Sequence, residues 1–145
     1  MKFCKTKRNK NGFTLIEIIV VLVIIGILMA LAVPAVMKYI NEAAETKAES
    51  QARAGFMAAQ TIALDMIKEN PGVSSRTIQD KINSADVINK ELGIEKANGK
   101  WPAGEGAVNA ISCSVKEDNS IEACIIDLLD YSDQYEVSLH GIGKY

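Results

Sequence analysis

The sequence is poor in the residues that most enzymes use for chemistry. It has one histidine, His140, among 145 residues, so neither a histidine-based triad nor a metal site of several histidines has its parts. No glycine-rich phosphate loop is present either. These absences make an enzyme the least expected class of protein, and we expect neither a cofactor nor a bound metal ion.

Acidic side chains are absent from the first twelve residues, which carry five basic ones: Lys2, Lys5, Lys7, Arg8 and Lys10. The rest of the chain has 11 basic and 18 acidic residues, a net charge of −7. An acidic body is a poor electrostatic match for nucleic acid, so direct nucleic-acid binding is not expected. A basic N-terminus is typical of a segment held on the cytoplasmic side of a membrane.

Charged residues are also missing from the sixteen positions between Ile18 and Val33, where Gly26 is the one residue that is not hydrophobic. As a helix, residues 13–37 would extend roughly 37 Å, enough to cross a hydrocarbon core of about 30 Å. The apolar region of a cleaved signal peptide has only about 7–15 residues. Because this segment is longer and a helical pattern follows it, we expect it to remain on the protein.

One carboxylate, Glu17, lies at the start of this apolar segment. A charged side chain within a membrane helix costs on the order of 3 kcal/mol at the centre and less near the end. Glu17 is therefore either a functional group with a specific partner or a residue at the level of the lipid headgroups. Its position alone does not separate these two interpretations.

The stretch "GFTLIE", which ends in Glu17, resembles the processing site of type IV pilins and pseudopilins. A short basic leader ending in Gly12 precedes it, an unbroken apolar helix follows, and Pro34 lies where these proteins often carry a helix-disturbing proline. The resemblance covers residues 1 to about 40. It implies that a prepilin peptidase cuts between Gly12 and Phe13 and methylates the new amino group of Phe13. Since an unpaired charge in an apolar environment costs several kcal/mol, we expect Glu17 to act in filament assembly by neutralising the amino terminus of Phe13 on a neighbouring subunit.

The resemblance further implies partners and a location. The precursor would span the plasma (inner) membrane once, in contact with lipid and with its C-terminal domain outside. A cytoplasmic assembly ATPase and an inner-membrane platform protein would feed it into a helical filament with copies of itself or other pilins. Such pilus filaments, on the cell surface, serve adhesion, motility or DNA uptake. The first alternative is a pseudopilin, in the periplasm or cell wall, of a type II secretion or competence system; a further one is a single-span anchored exported protein that never polymerises.

The fold class expected from the sequence is α+β and pilin-like: a long N-terminal helix packed on a small C-terminal antiparallel sheet. Between Val36 and Ile67, apolar residues recur at spacings of three and four, which is typical of one helix face, and Asn70-Pro71-Gly72 ends the pattern. Pro34 is expected to kink the helix. We predict five segments: a leader (1–12), a membrane or filament-core helix (13–37), an amphipathic helix (38–70), a connection with one or two short helices (71–106) and a sheet (107–145).

The sheet is predicted from three apolar runs: "AVNAISCSV", "IEACIIDLL" and "QYEVSLH". A hairpin with a four-residue loop, Glu117–Ser120, pairs Cys113 with Cys124 at a position without ladder hydrogen bonds, where strands approach most closely. Cys4 would leave with the leader, so two cysteines remain outside the cell, where disulfides persist. A Cys113–Cys124 disulfide is favoured over two free thiols. Residues 120–131 also fit a helix, which would remove this pairing.

Two further features invite functional interpretations that we consider weaker. Trp101 could stack on a ligand, but a structural contact with the domain is the simpler expectation. Four acidic residues spaced by three suggest calcium, yet the Gly-containing Asp-rich loop of calcium sites is missing, so we expect solvated surface acids. These residues are Asp127, Asp130, Asp133 and Glu136.

Overall fold

The computed structural model describes residues 13–145. The predicted leader, with Gly12 and Cys4, lies outside the described residues. A long helix, two short helices and a four-stranded antiparallel sheet confirm the α+β fold expected from the sequence. The elements are α1 (Leu15–Glu69), α2 (Ser75–Ile82), α3 (Ala85–Glu91), β1 (Val108–Val115), β2 (Ile121–Leu128), β3 (Gln134–Ser138) and β4 (Gly141–Lys144).

The chain divides into two compact units after Glu42. We call residues 13–42 the arm and Ala43–Tyr145 the head. The arm consists of Phe13, Thr14 and the first half of α1. The helix continues through Pro34 without interruption. A proline inside a helix removes one backbone donor and crowds the preceding turn, so the kink at Pro34 stays a prediction.

The core of the head forms where the second half of α1 packs on the sheet. The buried face of the helix consists mainly of alanines together with Gly55 and Phe56. A Cβ added at Gly55 would lie 3.2 Å from the δ-methyl group of Ile126 in β2. Small residues at these positions therefore allow the helix backbone to approach the sheet closely.

The sheet has the strand order β1-β2-β3-β4, with every neighbouring pair antiparallel. Residues 121–128 form a strand, so the helical alternative for this segment is wrong. The expected three strands are four, because β4 pairs with β3 and the turn between them contains Leu139 and His140. The sequence of β4, Gly-Ile-Gly-Lys, has weak strand propensity, and only its pairing with β3 makes it a strand.

The connection between α1 and the sheet contains two short helices that cover the free edge of β1. Ser74 caps α2, and Gly93, with φ of +73°, follows α3. Asn89 of α3 is completely buried and binds the N–H and the C=O of Val108, both at 2.8 Å. Asn83 accepts a hydrogen bond from the N–H of Cys113 at 2.6 Å. These two asparagines satisfy edge groups of β1 that would otherwise invite pairing with another strand.

Candidate assembly site

Two of the predicted functional residues, Phe13 and Glu17, lie at the N-terminal end of α1. Thr14 precedes the first helical residue, and its Oγ1 accepts a hydrogen bond from the N–H of Glu17 at 3.3 Å. Thr14 and Glu17 thus have the spacing of a capping box, and a carboxylate in the first turn also suits the helix dipole. Phe13, the predicted methylation site, is 79% exposed. Thr14 therefore caps the start of α1, a role that the sequence analysis missed although the Thr-x-x-Glu pattern was visible.

The arm has an exposed apolar surface. Its large hydrophobic side chains are between 41% and 79% exposed. Among residues 13–145, α1 is the helix that is long and apolar enough to cross a membrane. A soluble monomer rarely exposes so large an apolar surface to water. The arm therefore fits the membrane-anchored, single-pass precursor expected from the sequence.

A disulfide joins Cys113 in β1 to Cys124 in β2, whose Cα atoms are 4.0 Å apart. Both residues are buried. The N–H of Cys113 binds Asn83 rather than the opposite strand, which is consistent with a position without ladder hydrogen bonds. The register places Cys113 opposite Cys124 and Ile111 opposite Ile126, as expected from the sequence.

The turn that follows β1 is one residue longer than the four-residue loop expected from the sequence. Ser114 pairs with Ala123 but Val115 pairs with Ile121, so Glu122 is an extra residue that forms a bulge. The connecting turn is therefore the five residues Lys116–Ser120. A bulge is set by local twist and pairing, which alternation of apolar residues does not reveal.

Asp118 organises this turn. Its Oδ1 accepts hydrogen bonds from the hydroxyl and the N–H of Ser120, at 2.6 and 2.9 Å. These bonds, with the hydroxyl contributing most, lower the pKa of the Asp118 carboxyl below its ordinary value. The next residue, Asn119, adopts φ of +67° and donates to the C=O of Val73 at 3.2 Å. The turn is thereby fastened to the end of the α1–α2 connection.

Three of the four acidic residues considered for calcium do not act as free surface charges. Asp127 accepts a hydrogen bond from Asn109 at 2.9 Å, and Asp130 accepts one from the N–H of Gly104 at 2.6 Å. Asp133 lies 3.2 Å from the ammonium of Lys144. The expectation of simply solvated acids was therefore incomplete, since these carboxylates join β1 to β2, the β2–β3 turn to the loop before β1, and the same turn to β4. Across residues 13–145, no three His, Cys, Asp or Glu side chains are grouped as a metal site requires.

Lys144 ties the last strand to the helix. Its ammonium lies 2.8 Å from Glu45 in α1 and also contacts Asp133. The hydrogen bond to Glu45, and then that to Asp133, raise the pKa of the Lys144 ammonium above its ordinary value. All three side chains are about half exposed, so solvent weakens the contribution of these ion pairs to stability.

Trp101 is partly buried, and the ammonium of Lys96 lies 4.5 Å from the centre of its ring. Lys96 also contacts Asp86 of α3 at 2.9 Å. These contacts connect the loop before β1 to α3, in agreement with the structural role expected for Trp101. The tryptophan stacks on a cation of its own chain.

Comparison with known proteins adds a family and several relatives. Residues 7–33 match the family of the prokaryotic N-terminal methylation motif. The chain is 52% identical over 62 residues to the type II secretion system core protein G of Pseudomonas aeruginosa, a match that covers 43% of this chain and 40% of that protein. For the same protein of Aeromonas hydrophila the identity is 45% over 62 residues, with the same coverage of 43% and 40%.

A third relative is the type IV major alpha-pilin of Moraxella bovis, which is 33% identical over 94 residues, covering 57% of this chain and 59% of the pilin. The chain thus spans less than two thirds of the length of each of these relatives. No solved structure gives a significant match. None of the relatives' names describes an enzyme.

Proposed function

We propose that this chain, which belongs to the type IV pilin and pseudopilin family, is a precursor that is processed and then assembled into a filament. A prepilin peptidase cuts it between Gly12 and Phe13 and methylates the amino group of Phe13. The head remains outside the plasma membrane, and the arm enters the filament core. Assembly uses a membrane platform protein and a cytoplasmic ATPase, and the product is a type IV pilus-like filament.

The uncovered arm is the observation that carries this proposal. Its exposed hydrophobic surface requires lipid before assembly and a protein environment after it. The methylation motif in residues 7–33 and the relatives named as pilin and secretion core protein support the same role. An anchor that never polymerises would need the apolar helix but would have no use for the Gly12–Phe13 junction or Glu17.

Glu17 has a defined task in this scheme. Cleavage leaves an ammonium on Phe13, and an unpaired charge in an apolar surrounding costs several kcal/mol. The carboxylate of Glu17 on one subunit pairs with the amino group of Phe13 on a neighbour. Because only one stagger of adjacent arms brings these groups together, the pair sets the register of the filament, as buried polar residues do in coiled coils.

A pseudopilin of a type II secretion system is the second candidate. The observation that favours it is the identity of 52% and 45% to two core proteins G, against 33% to the Moraxella pilin over a longer match. Deletion of the gene in its native host separates the two candidates. If the chain is a pilus subunit, it is recovered from wild-type cells in the fraction sheared from the cell surface, and the deletion removes it from that fraction. If the chain is a pseudopilin, the deletion abolishes protein secretion and leaves the sheared fraction unchanged.

Processing is tested by the intact mass of the chain extracted from membranes after expression with a prepilin peptidase. The expected mass is that of Phe13–Tyr145 plus one methyl group and minus the two hydrogens of the disulfide. A Gly12→Ala chain serves as the control and should keep its leader. A wild-type chain that still begins at Met1 would rule out processing and leave only the membrane anchor.

The charge pair is tested with Glu17→Gln beside Glu17→Ala. Glutamine keeps the size and can still take part in a capping box, but it has no charge to pair with the ammonium of Phe13. We expect both variants to lose filaments while remaining in the membrane at wild-type levels. Normal filament yield from Glu17→Gln would assign Glu17 to helix capping alone, and normal yield from Glu17→Ala would remove any assembly role.

A further inference from the structure

The head has two opposite ends that differ in their exposed groups. One end, which we call the Leu139 end, carries the turn Lys116–Ser120 and the turn that contains Leu139. The other, the Lys144 end, carries the turn between β2 and β3 together with Tyr145, whose N–H binds the C=O of Gln134. The antiparallel order of the strands places these features at opposite edges of the sheet.

The exposed large hydrophobic residues of the head are divided between these ends. Leu64 and Leu139 are 66% and 70% exposed at the Leu139 end, and Leu129 and Tyr145 are 41% and 72% exposed at the Lys144 end. Met57, which is also exposed, lies two helical turns before Leu64. Two separate apolar groups on one small domain indicate two contact surfaces.

The Leu139 end contains an apolar groove of about 280 Å³. Its walls come from the end of α1, from the turn after β1 and from the β3–β4 turn, and include Ala63, Leu64, Ile67, Ile121 and Leu139. Cofactor-sized pockets are usually about 300–1,000 Å³, so this groove is of a size for one or two side chains of a protein partner.

The Lys144 end presents side chains that suit such a groove. Tyr145 is an aromatic residue with a polar tip, the type that most often anchors protein interfaces. The nearby charges are already compensated within the head, since Lys144 binds Glu45 and Asp133 and Asp130 binds a backbone N–H. Docking of Leu129 and of the Tyr145 ring would therefore bury few charged side chains that lack a partner.

The two ends are too far apart for Tyr145 to reach the groove of its own head, so a contact between them joins two copies of the chain. Glu45, which binds Lys144, and Leu64, which lines the groove, are 19 residues apart on α1, or about 28 Å along the helix axis. A contact between two different surfaces is heterologous, and it gives a ring if the rotation between copies closes and an open filament if it does not. Surfaces at opposite ends of the subunit place successive copies one after another along the helix axis, which favours the open arrangement. That is the geometry of a filament.

We propose that heads stack end to end, with Tyr145 and Leu129 of one copy docked in the groove formed by Leu64, Ile67 and Leu139 of a second copy. This inference rests on the proposed function, because the arms supply most of the contact and bring the heads to the concentration at which a small interface forms. The heads then contribute the repeating contact on the outside of the filament.

Cysteine cross-linking in assembled filaments tests the pairing. In the full chain expressed with a prepilin peptidase, Leu64→Cys combined with Tyr145→Cys should give, on oxidation, a ladder of covalent multimers. Each single variant should remain monomeric. Ser114→Cys combined with Tyr145→Cys is the matched control, since Ser114 is exposed on the outer face of the sheet and does not line the groove, and it should give no ladder.

A charge placed in the groove tests its contribution to assembly. Leu64→Glu should lower filament yield by about tenfold or more, because a buried carboxylate without a partner opposes docking. Ser114→Glu adds the same charge outside the groove and should assemble normally. Since Leu64 is exposed in the single chain, both variants should unfold at the wild-type temperature.

The outcomes separate this inference from the proposed function. Filaments that form normally in Leu64→Glu and give no ladder in the double cysteine variant would overturn the stacking of heads and leave the proposed function intact. Covalent dimers from Leu64→Cys alone would mean that two grooves face each other, which also overturns it. If the wild-type chain forms no filaments, the proposed function and the inference that rests on it both fail.

Discussion

Replacement of Asn89 with alanine is expected to destabilise the head by about 2–5 kcal/mol, because it leaves two buried backbone groups without hydrogen bonds. Asn89 is completely buried, and its amide binds both the N–H and the C=O of Val108 at 2.8 Å. Each unsatisfied backbone group costs about 1–3 kcal/mol, and the small cavity left by the amide adds to this. The loss is large relative to the total stability of a domain of this size.

The measurement is urea unfolding of the oxidised full chain in detergent, followed by the fluorescence of Trp101, the one tryptophan in the sequence. Trp101 contacts Lys96, which binds Asp86 of α3, so its signal reports on the region that Asn89 holds.

Asn83→Ala is the matched control. Asn83 is exposed and makes one side-chain hydrogen bond to β1, to the N–H of Cys113, so its removal should cost about 0.5–1.5 kcal/mol. Equal losses for the two variants would refute the argument that burial and the double hydrogen bond of Asn89 determine its effect.

Further outcomes follow from the turns and the disulfide of the head. In an NMR titration, the pKa of Asp118 should lie below that of an ordinary aspartate and should rise in Ser120→Ala, which lacks the hydroxyl. Because the pKa is lower in the folded state, Asp118 stabilises the fold at pH values above its ordinary pKa, and this contribution should disappear as the pH falls through the lowered pKa. An unchanged pKa in Ser120→Ala would contradict this cause. Gly93→Ala should lower the free energy of unfolding by about 1 kcal/mol, because its positive φ strains an alanine. Gly106→Ala should lower it more in urea unfolding, since the new Cβ would also lie 2.5 Å from the side-chain nitrogen of Gln51. Equal losses for the two variants would show that the Gln51 side chain moves away without cost. Reduction of the disulfide, which joins residues separated by 11 positions, should lower the free energy of unfolding by about 2–3 kcal/mol, and no loss would mean that strand pairing alone holds the hairpin.

The sequence by itself determined the features that depend on local pattern. The basic first twelve residues, the "GFTLIE" stretch and the uninterrupted apolar run predict the arm, because membrane insertion depends on consecutive residues. The α-helical period predicts α1 and its buried alanines, and the alternation of Ile111, Cys113 and Val115 predicts β1 and its pairing with β2. These properties need no knowledge of the rest of the fold.

Only the tertiary structure decided the features that depend on contacts between distant segments. Strand β4 forms because it pairs with β3. In the sequence, Asn89 is an ordinary polar residue of a short predicted helix. Its two hydrogen bonds to Val108, at the edge of the sheet, exist only in the folded chain, and no local pattern predicts them. The acidic residues Asp127, Asp130, Asp133 and Glu136 have the same spacing in the sequence, yet each of the first three binds a different group of the head. Long-range partners of this kind come together only when the chain has folded, so their energies are not contained in any local window of sequence.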